Sequence, residues 1–373
     1  MGEQLKTQAA ILWNTAQSWS VEEVELADPL PGEVRVKLAA SGLCHSDEHL
    51  VTGDLPAALP IVGGHEGAGV VEAVGTGVSS LAEGDHVVLG FIPSCGRCAS
   101  CSTGHQNLCD LGALIMSGQE VAGGQRVTAR GQGIGTMCCL GTFSPYAVVH
   151  ESSAIKVRGD VPLDKASLVG CGVTTGIGSA LYSAEVRAGH VVVVIGAGGI
   201  GTNAIQGAKI AGAEYIIAVD PNLFKRENAK FFGATHSVES SDEAFGLVQD
   251  LTNARMANSV IITTGVGEGH VLAPAMALLG KNGIAVFTSI APYTQVDVKL
   301  SLLDLTLYQK QLRGSLFGSA NPRYDIPRIL DLYMDGVVKL DELVTKTYEL
   351  KDINQGYQDM RDGHNIRGMV LFD

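Results

Sequence analysis

The stretch HVVVVIGAGGIGTNAIQGAKIAGAEYIIAVD, residues 190–220, constrains the fold more than any other part of the chain. A run of four valines and an isoleucine leads into Gly196-x-Gly198-x-x-Gly201, a helix-like segment follows, and a second apolar run, YIIAV, ends at Asp220. Continuous apolar strands alternating with helices imply a parallel sheet covered on both faces. Further units follow at NSVIITT with the segment after Gly269, and at GIAVFTSI, so residues 173–315 read as a doubly wound α/β domain. In its first turn Gly196 permits the tight bend, Gly198 lets backbone approach a pyrophosphate, and Gly201 allows helix and strand to pack closely. The phosphate would sit at the helix N-terminus beside Gly199. Asp220 lies 24 residues past Gly196; a carboxylate there accepts hydrogen bonds from an adenosine ribose and repels a 2′-phosphate, favouring NAD over NADP. A glycine-rich turn without ligand is the alternative.

The first 170 residues alternate short β-like runs with glycine punctuation: EVRVKLAA, GAGVVEAVG, GDHVVLGF and YAVVHESSAIKV. This is the pattern of a barrel-like or sandwich lobe. Two lobes also suit a chain of 373 residues better than one core. After residue 315 the helix-like DIPRILDLYMDG and INQGYQDMRDG leave the parallel rhythm, and the chain ends in the strand-like IRGMVLF. Residues 316–373 are therefore expected to complete a first domain of residues 1–172. Residues 117–135, SGQEVAGGQRVTARGQGIG, have no clean period and are expected to form a long loop.

The densest chemistry lies in SCGRCASCSTGHQNLC, residues 94–109, which holds four of the chain's 8 cysteines. A net charge of -13 without a basic block argues against nucleic acid as a partner, and so against a nucleic-acid-binding zinc ribbon. The N-terminal MGEQLKTQAAILWNTAQ has no basic segment followed by an apolar one, and no apolar run is long enough to span a membrane. The expectation is a soluble cytoplasmic protein with no membrane partner. In that reducing compartment a disulfide framework is out of place, and metal binding becomes the leading account. Cys95-x2-Cys98-x2-Cys101-x7-Cys109 puts four thiolates on one short loop, enough to close a tetrahedral zinc shell with no open position. Four buried free cysteines are the alternative, which leaves the polar residues between them unexplained.

Of the other four cysteines, Cys138 and Cys139 are adjacent; neighbours in an extended chain point oppositely, so they read as packing residues. Cys44 in SGLCHSDEHL and Cys171 in LVGCGVTTGIG stand beside polar neighbours, and His65 in GGHEGAG is flanked by glycines. Together these two cysteines and one histidine would make a zinc site with a fourth position free for water or substrate. Spacing alone does not bring them together, and singly each reads as well as a core thiol or a histidine satisfied by a carbonyl.

GLCHSDEH, GGHEGAG, the four-cysteine loop, GCGVTTGIG, GAGGIG and NIRGMVLF, in this order, resemble the zinc-dependent medium-chain alcohol dehydrogenases along essentially the whole chain. LWNTAQSWSVEEVEL, HLVTGDLP, NLCDLGA and QLRGSLFGSANPR make it similar to their nicotinoprotein branch, the NDMA-dependent alcohol dehydrogenases, which keep nicotinamide as a prosthetic group. The resemblance implies a GroES-like, β-rich catalytic domain and a Rossmann domain. It implies reversible oxidation of primary alcohols to aldehydes by hydride transfer to NAD, tightly bound and re-oxidised by an external electron acceptor.

It further implies two zinc ions per chain, a catalytic one on Cys44, His65 and Cys171 and a structural one on Cys95, Cys98, Cys101 and Cys109. Asp47 and Glu66 are implied behind the ligands, Ser46 as the hydroxyl that takes the alcohol proton, and His49 as the base that passes it to solvent. His45 and Arg367 are implied at the pyrophosphate, Lys225 at the adenosine ribose, and Phe91 and Leu140 in the substrate channel. His45 stands where the family commonly has arginine, so tight retention of NAD needs other contacts, and residues 117–135 are the expected cover. A homo-oligomer is implied, with the sheet edge near GIAVFTSIAP as its contact. Two other functions stay open. One is oxidation of an S-hydroxymethyl thiol with free NAD, which needs a cationic patch that the sequence does not locate. The other is a non-catalytic zinc and dinucleotide redox sensor, which would have no use for a relay from Ser46 to His49.

Overall fold

The structure, a computed structural model, describes residues 5–296 and 298–372. It divides into two compact units, one running through Cys171 and resuming at Asn321, the other spanning Gly172–Ala320. No helix among the described residues is long and apolar enough to cross a membrane.

In the second unit, six strands form one parallel sheet in the order His236–Val238, Tyr215–Val219, Val191–Ile195, Ala257–Ile262, Leu279–Phe287 and Gln311–Gly314. Numbered along the chain this is 3-2-1-4-5-6, the doubly wound Rossmann order, in which ligands bind where the winding reverses. All of Val191–Ile195 is buried, as a strand covered on both faces must be. GIAVFTSIAP is not at the edge. Its strand, Leu279–Phe287, is flanked on both sides, and Gln311–Gly314 is the outer one; a buried central strand and an edge strand share the same apolar pattern in sequence.

The first unit joins two β structures. Leu5–Leu12, Ser20–Leu26, Val127–Ala129, Gln132–Thr136 and Ile61–Val62 close into a barrel. A seven-stranded sheet is built on Glu33–Gly42, which pairs with Gly67–Val74, Tyr146–His150 and the C-terminal Arg367–Leu371. Val34, Val36, Leu38 and Ala40 face inward along this strand with Arg35 and Lys37 between them, the period-2 alternation of a half-covered sheet. The register sets Ser41 opposite Gly67 and Gly42 opposite Met369, so the chain just before Cys44, the chain just after His65 and the C-terminal strand lie side by side.

Residues 117–135 are not one loop. Val127–Ala129 and Gln132–Thr136 are a hairpin of the barrel, turned by Arg130 and Gly131 with φ of 51° and 76°, the mirror-image turn that matches strand twist. The pattern is hidden because the strands are short and carry Gln132, Gly133 and Gly135 on their solvent and close-packed positions. The second half of the segment therefore belongs to the barrel, and only residues 117–126 are left outside its hairpin.

That segment also buries an acid. Glu120 is 2% exposed; its Oε1 accepts from Thr136 Oγ1 at 2.5 Å and its Oε2 has no hydrogen-bond partner among the described residues. Burial pushes its pKa up to about 7, with the Glu33 carboxylate adding to the rise and Thr136 and Arg126 opposing it. The folded chain therefore holds a proton that the unfolded chain has released above the ordinary value of 4.5. The associated stability is complete below that value and is lost as pH climbs through 7, by about 3 kcal/mol. Glu120→Gln should remove this dependence, so its urea midpoint gains on the parent's between pH 5 and pH 8. A constant difference would show that Glu120 does not titrate in that window.

Candidate active site

Cys44, His65 and Cys171 come from three parts of the first unit and meet. Cys44 follows Glu33–Gly42 and begins the helix His45–Thr52, His65 precedes Gly67–Val74, and Cys171 follows the single turn Ser167–Gly170. Their ligand atoms and a carboxylate oxygen of Glu66 all lie within 4.8 Å of one another, and all four residues are buried. Asp47 Oδ2 faces His65 Nδ1 at 3.2 Å, while its Oδ1 accepts from the Gly64 backbone N–H at 2.8 Å. Among the described residues neither ring nitrogen of His65 completes a hydrogen bond. With Asp47 on the Nδ1 side, Nε2 is the nitrogen whose lone pair is left unused, and buried polar atoms are rarely left so. Two sulfurs, an imidazole nitrogen and a carboxylate in one dry cluster are a donor set that fits zinc.

The charges agree. The Cys44 thiol is held well below its ordinary range by the Cys171 hydrogen bond and, against burial, by His65 and Arg367. Cys171 is pushed well up by Cys44 and by burial. Burial opposes a charge on His65, but Asp47 and Cys44 outweigh it and raise its pKa. Glu66 is ion-paired with Arg367, both buried, and Gly42 leaves the room: a Cβ there would stand 2.1 Å from Glu66 Oε2. Arg367, expected at a pyrophosphate, gives one of its two terminal nitrogens to Glu66.

The four-cysteine loop forms the second cluster. All four sulfurs lie within 4.8 Å, Cys95 to Cys101 and Cys98 to Cys109 are each 4.0 Å apart, and none is in a disulfide. A tetrahedron of zinc–sulfur bonds has edges of roughly 3.8 Å, so the loop is pre-shaped as a zinc site of four thiolates. The Cys98 and Cys101 N–H groups donate to Cys95 Sγ and Cys98 Sγ at 3.4 Å, and Asp110 N–H reaches Cys98 Sγ at 3.5 Å. The backbone donors, Asp110 first, bring the Cys98 pKa down to about 6, whereas burial pushes Cys101 up to about 12.

In the second unit the glycine turn divides its work as the spacing predicts. Gly196 has φ 93°, and a Cβ on Gly201 would stand 1.7 Å from the Gly196 carbonyl oxygen. Around Gly198 the space is open, and the helix it begins, Gly199–Ile210, has no side-chain cap. Uncapped N–H groups at an open helix start suit a pyrophosphate. Asp220 folds back on the turn, its Oδ2 accepting from Ala197 N–H at 2.8 Å and its Oδ1 from Asn222 N–H at 2.9 Å. Lys225 is half-buried on the first turn of Leu223–Phe232 and makes no hydrogen bond or ion pair among the described residues; Arg226 beside it donates to the Asp220 and Pro221 carbonyls.

Comparison with known proteins agrees with this geometry. An alcohol dehydrogenase GroES-like domain matches residues 30–159, and a zinc-binding dehydrogenase domain matches residues 199–335. The chain is 52% identical over 367 residues to the NDMA-dependent alcohol dehydrogenase of Amycolatopsis methanolica, covering 98% of this chain and 99% of that one. It is 50% identical over 370 residues, 99% of each chain, to alcohol dehydrogenase B of Mycobacterium tuberculosis. The chain belongs to the zinc-dependent medium-chain alcohol dehydrogenases. The crystal structure of benzyl alcohol dehydrogenase from Acinetobacter calcoaceticus superposes with a TM-score of 0.92 at 31% identity, covering 99% of this chain and 100% of that one.

Other residues of this dehydrogenase fall near and far from the cluster. Ser46 Oγ lies 3.5 Å from Cys44 Sγ. The Phe91 ring stands edge-on to His65, with centroids 5.9 Å apart. Leu140 is packed in the core with Trp19 and Phe143. His45 is half-buried at the first position of its helix. Cys138 and Cys139 are buried outside both metal clusters, but their backbone is not extended: both have φ 57°. Two residues escape the sequence reading. Asp54 Oδ2 lies 3.0 Å from His49 Nδ1, and the buried Tyr357, packed on Trp19 and Phe143, has its pKa raised by burial and by the nearby Asp47 carboxylate.

Proposed function

We propose that this alcohol dehydrogenase oxidises primary alcohols to aldehydes, reversibly, with a catalytic zinc on Cys44, His65 and Cys171 and NAD on the Gly196–Gly201 turn. Nicotinamide held there would remain on the enzyme, its reduced form giving up the hydride to an external acceptor. The observation that carries this reading is the buried convergence of two thiols on an imidazole nitrogen that has no hydrogen-bond partner among the described residues. Zinc held there supplies the Lewis acidity that lets an alcohol ionise near neutral pH, and NAD supplies the hydride acceptor. The chain's own residues do the rest. The Ser46 hydroxyl takes the alcohol's proton and His49 carries it outward. Asp47 holds the His65 ring, and the Glu66–Arg367 pair keeps two buried charges compensated behind it. Cys95, Cys98, Cys101 and Cys109 hold a second, structural zinc.

The NDMA-dependent relative supports retention of the cofactor, and the benzyl alcohol dehydrogenase neighbour, with the aromatic wall of Phe91 beside His65, supports aromatic primary alcohols as substrates. Exposed Leu302, Leu303 and Leu307 on the helix Leu302–Tyr308, with exposed Leu312 on the outer strand of the parallel sheet, support a homo-oligomer.

The test is to dialyse the purified enzyme exhaustively and supply benzyl alcohol and NDMA without free NAD. Reduction of NDMA is expected. Turnover that begins only when NAD is added, with NADH released to solution, would remove the bound-cofactor part and leave the zinc chemistry standing.

A further inference from the structure

The motif HLVTGDLP builds a local device that the zinc and dinucleotide sites do not explain. The helix His45–Thr52 ends at Gly53, whose left-handed conformation, φ 81° and ψ 9°, turns the chain back. Leu55 N–H then donates to the His49 carbonyl at 3.1 Å, and Asp54 is brought beside the His49 ring. Asp54 Oδ2 lies 3.0 Å from His49 Nδ1 and accepts a second hydrogen bond from Thr52 Oγ1 at 2.7 Å. Helix stability does not account for an acid in this place, because negative charge is unfavourable beyond a helix C-terminus. The imidazole side chain is 3% exposed and the carboxylate 25%, so the pair runs from the interior to the water boundary.

We infer that Asp54 is a positioning residue for proton exit: it fixes His49 with the proton on Nδ1 and leaves Nε2 as the acceptor. The inference rests on the reading of His49 as the outgoing base. An ionised carboxylate has no proton to donate, so a hydrogen bond between Asp54 and Nδ1 places the proton on the ring nitrogen. The Thr52 hydrogen bond, followed by that of His49, holds the Asp54 carboxyl below its ordinary range. A neutral imidazole carries one N–H, so Nε2 keeps its lone pair. When a proton arrives at Nε2 the ring becomes a cation with both nitrogens protonated. Asp54 stays ionised and offsets that charge until Nε2 gives the proton to water. Without the carboxylate Nδ1 loses the acceptor that favours its protonation, and a charged ring in this buried position loses the negative charge of Asp54.

The experiment reads the tautomer directly. Enzyme labelled with 15N at histidine gives ring-nitrogen NMR signals that distinguish Nδ1–H from Nε2–H, and loss of one set in His49→Gln assigns His49. The parent is expected in the Nδ1–H form. Asp54→Ala should shift the ring toward Nε2–H, whereas Asp54→Asn, whose amide oxygen still accepts, should keep the Nδ1–H form without the charge. In turnover, Asp54→Ala should lower kcat by about 10- to 100-fold with KM little changed, since Asp54 does not touch substrate. Unchanged His49 signals in Asp54→Ala overturn the positioning role, as does full kcat in Asp54→Ala when His49→Gln is impaired. Full turnover in His49→Gln overturns instead the relay on which the inference rests, and the tautomer signals still judge what Asp54 does to the ring.

Discussion

His65→Ala is expected to lower turnover by roughly 10³-fold or more and to take the zinc content from two ions per chain to one. Lewis-acid stabilisation of a developing alkoxide is worth several kcal/mol, and a tenfold in rate is about 1.4 kcal/mol. Removing the imidazole leaves Cys44, Cys171 and Glu66, of which Glu66 is already committed to Arg367. It also takes from the buried Asp47 Oδ2 the ion pair it makes with the imidazole, so some stability goes with the metal. Cys171→Ser separates the two effects, because it swaps a soft sulfur for a poor zinc ligand of similar shape and leaves Asp47 and His65 in place. Both variants should keep one zinc, because the four sulfurs of the Cys95–Cys109 loop form a separate cluster. Metal analysis of the dialysed variants alongside their kcat decides the matter. Two zinc ions and near-normal turnover in Cys171→Ser would mean that the metal does its chemistry elsewhere.

What the sequence reveals and what it conceals divides by range of contact. The four-cysteine shell is legible because its ligands sit on one loop, where spacing is nearly geometry, and the turn at Gly196 because strand, turn and helix are contiguous. Cys44, His65 and Cys171 are different. They meet because Ser41 pairs with Gly67 and because Gly170 brings Cys171 against the strand at Leu89, a register that no local pattern contains. Resemblance to a family, not spacing, brings them together beforehand. The barrel hairpin is hidden because its strands are too short to show a period, and Asp54 because its reach back to His49 depends on one left-handed glycine. The Glu66–Arg367 pair joins residues at opposite ends of the chain through the pairing of Gly42 with Met369, so no reading of either segment alone proposes it.

Gly201→Val should abolish dinucleotide binding and unfold or badly weaken the parallel-sheet unit, whereas Gly198→Ala should lose the dinucleotide alone. The difference follows from what surrounds each position. A Cβ at 201 meets the Gly196 carbonyl oxygen at 1.7 Å and Thr263 Oγ1 at 2.7 Å. Gly196 cannot retreat, since its φ of 93° sets the turn and its own Cβ position is closed off by the Thr263 carbonyl at 2.9 Å. The helix Gly199–Ile210 must therefore lift off the strand Val191–Ile195, opening a core that includes Ala204, Ile205 and Ala208, at a cost of about 3 kcal/mol or more. At 198 nothing lies within 4 Å and the backbone, with φ -77°, accepts alanine without strain. The methyl group there projects only into the space where a pyrophosphate approaches the helix start. Nucleotide co-purifying with each variant, read beside its thermal unfolding midpoint, separates the cases. If Gly198→Ala keeps its nucleotide as tightly as the parent, the phosphates do not lie at this turn, and the open helix start is only a gap in the packing.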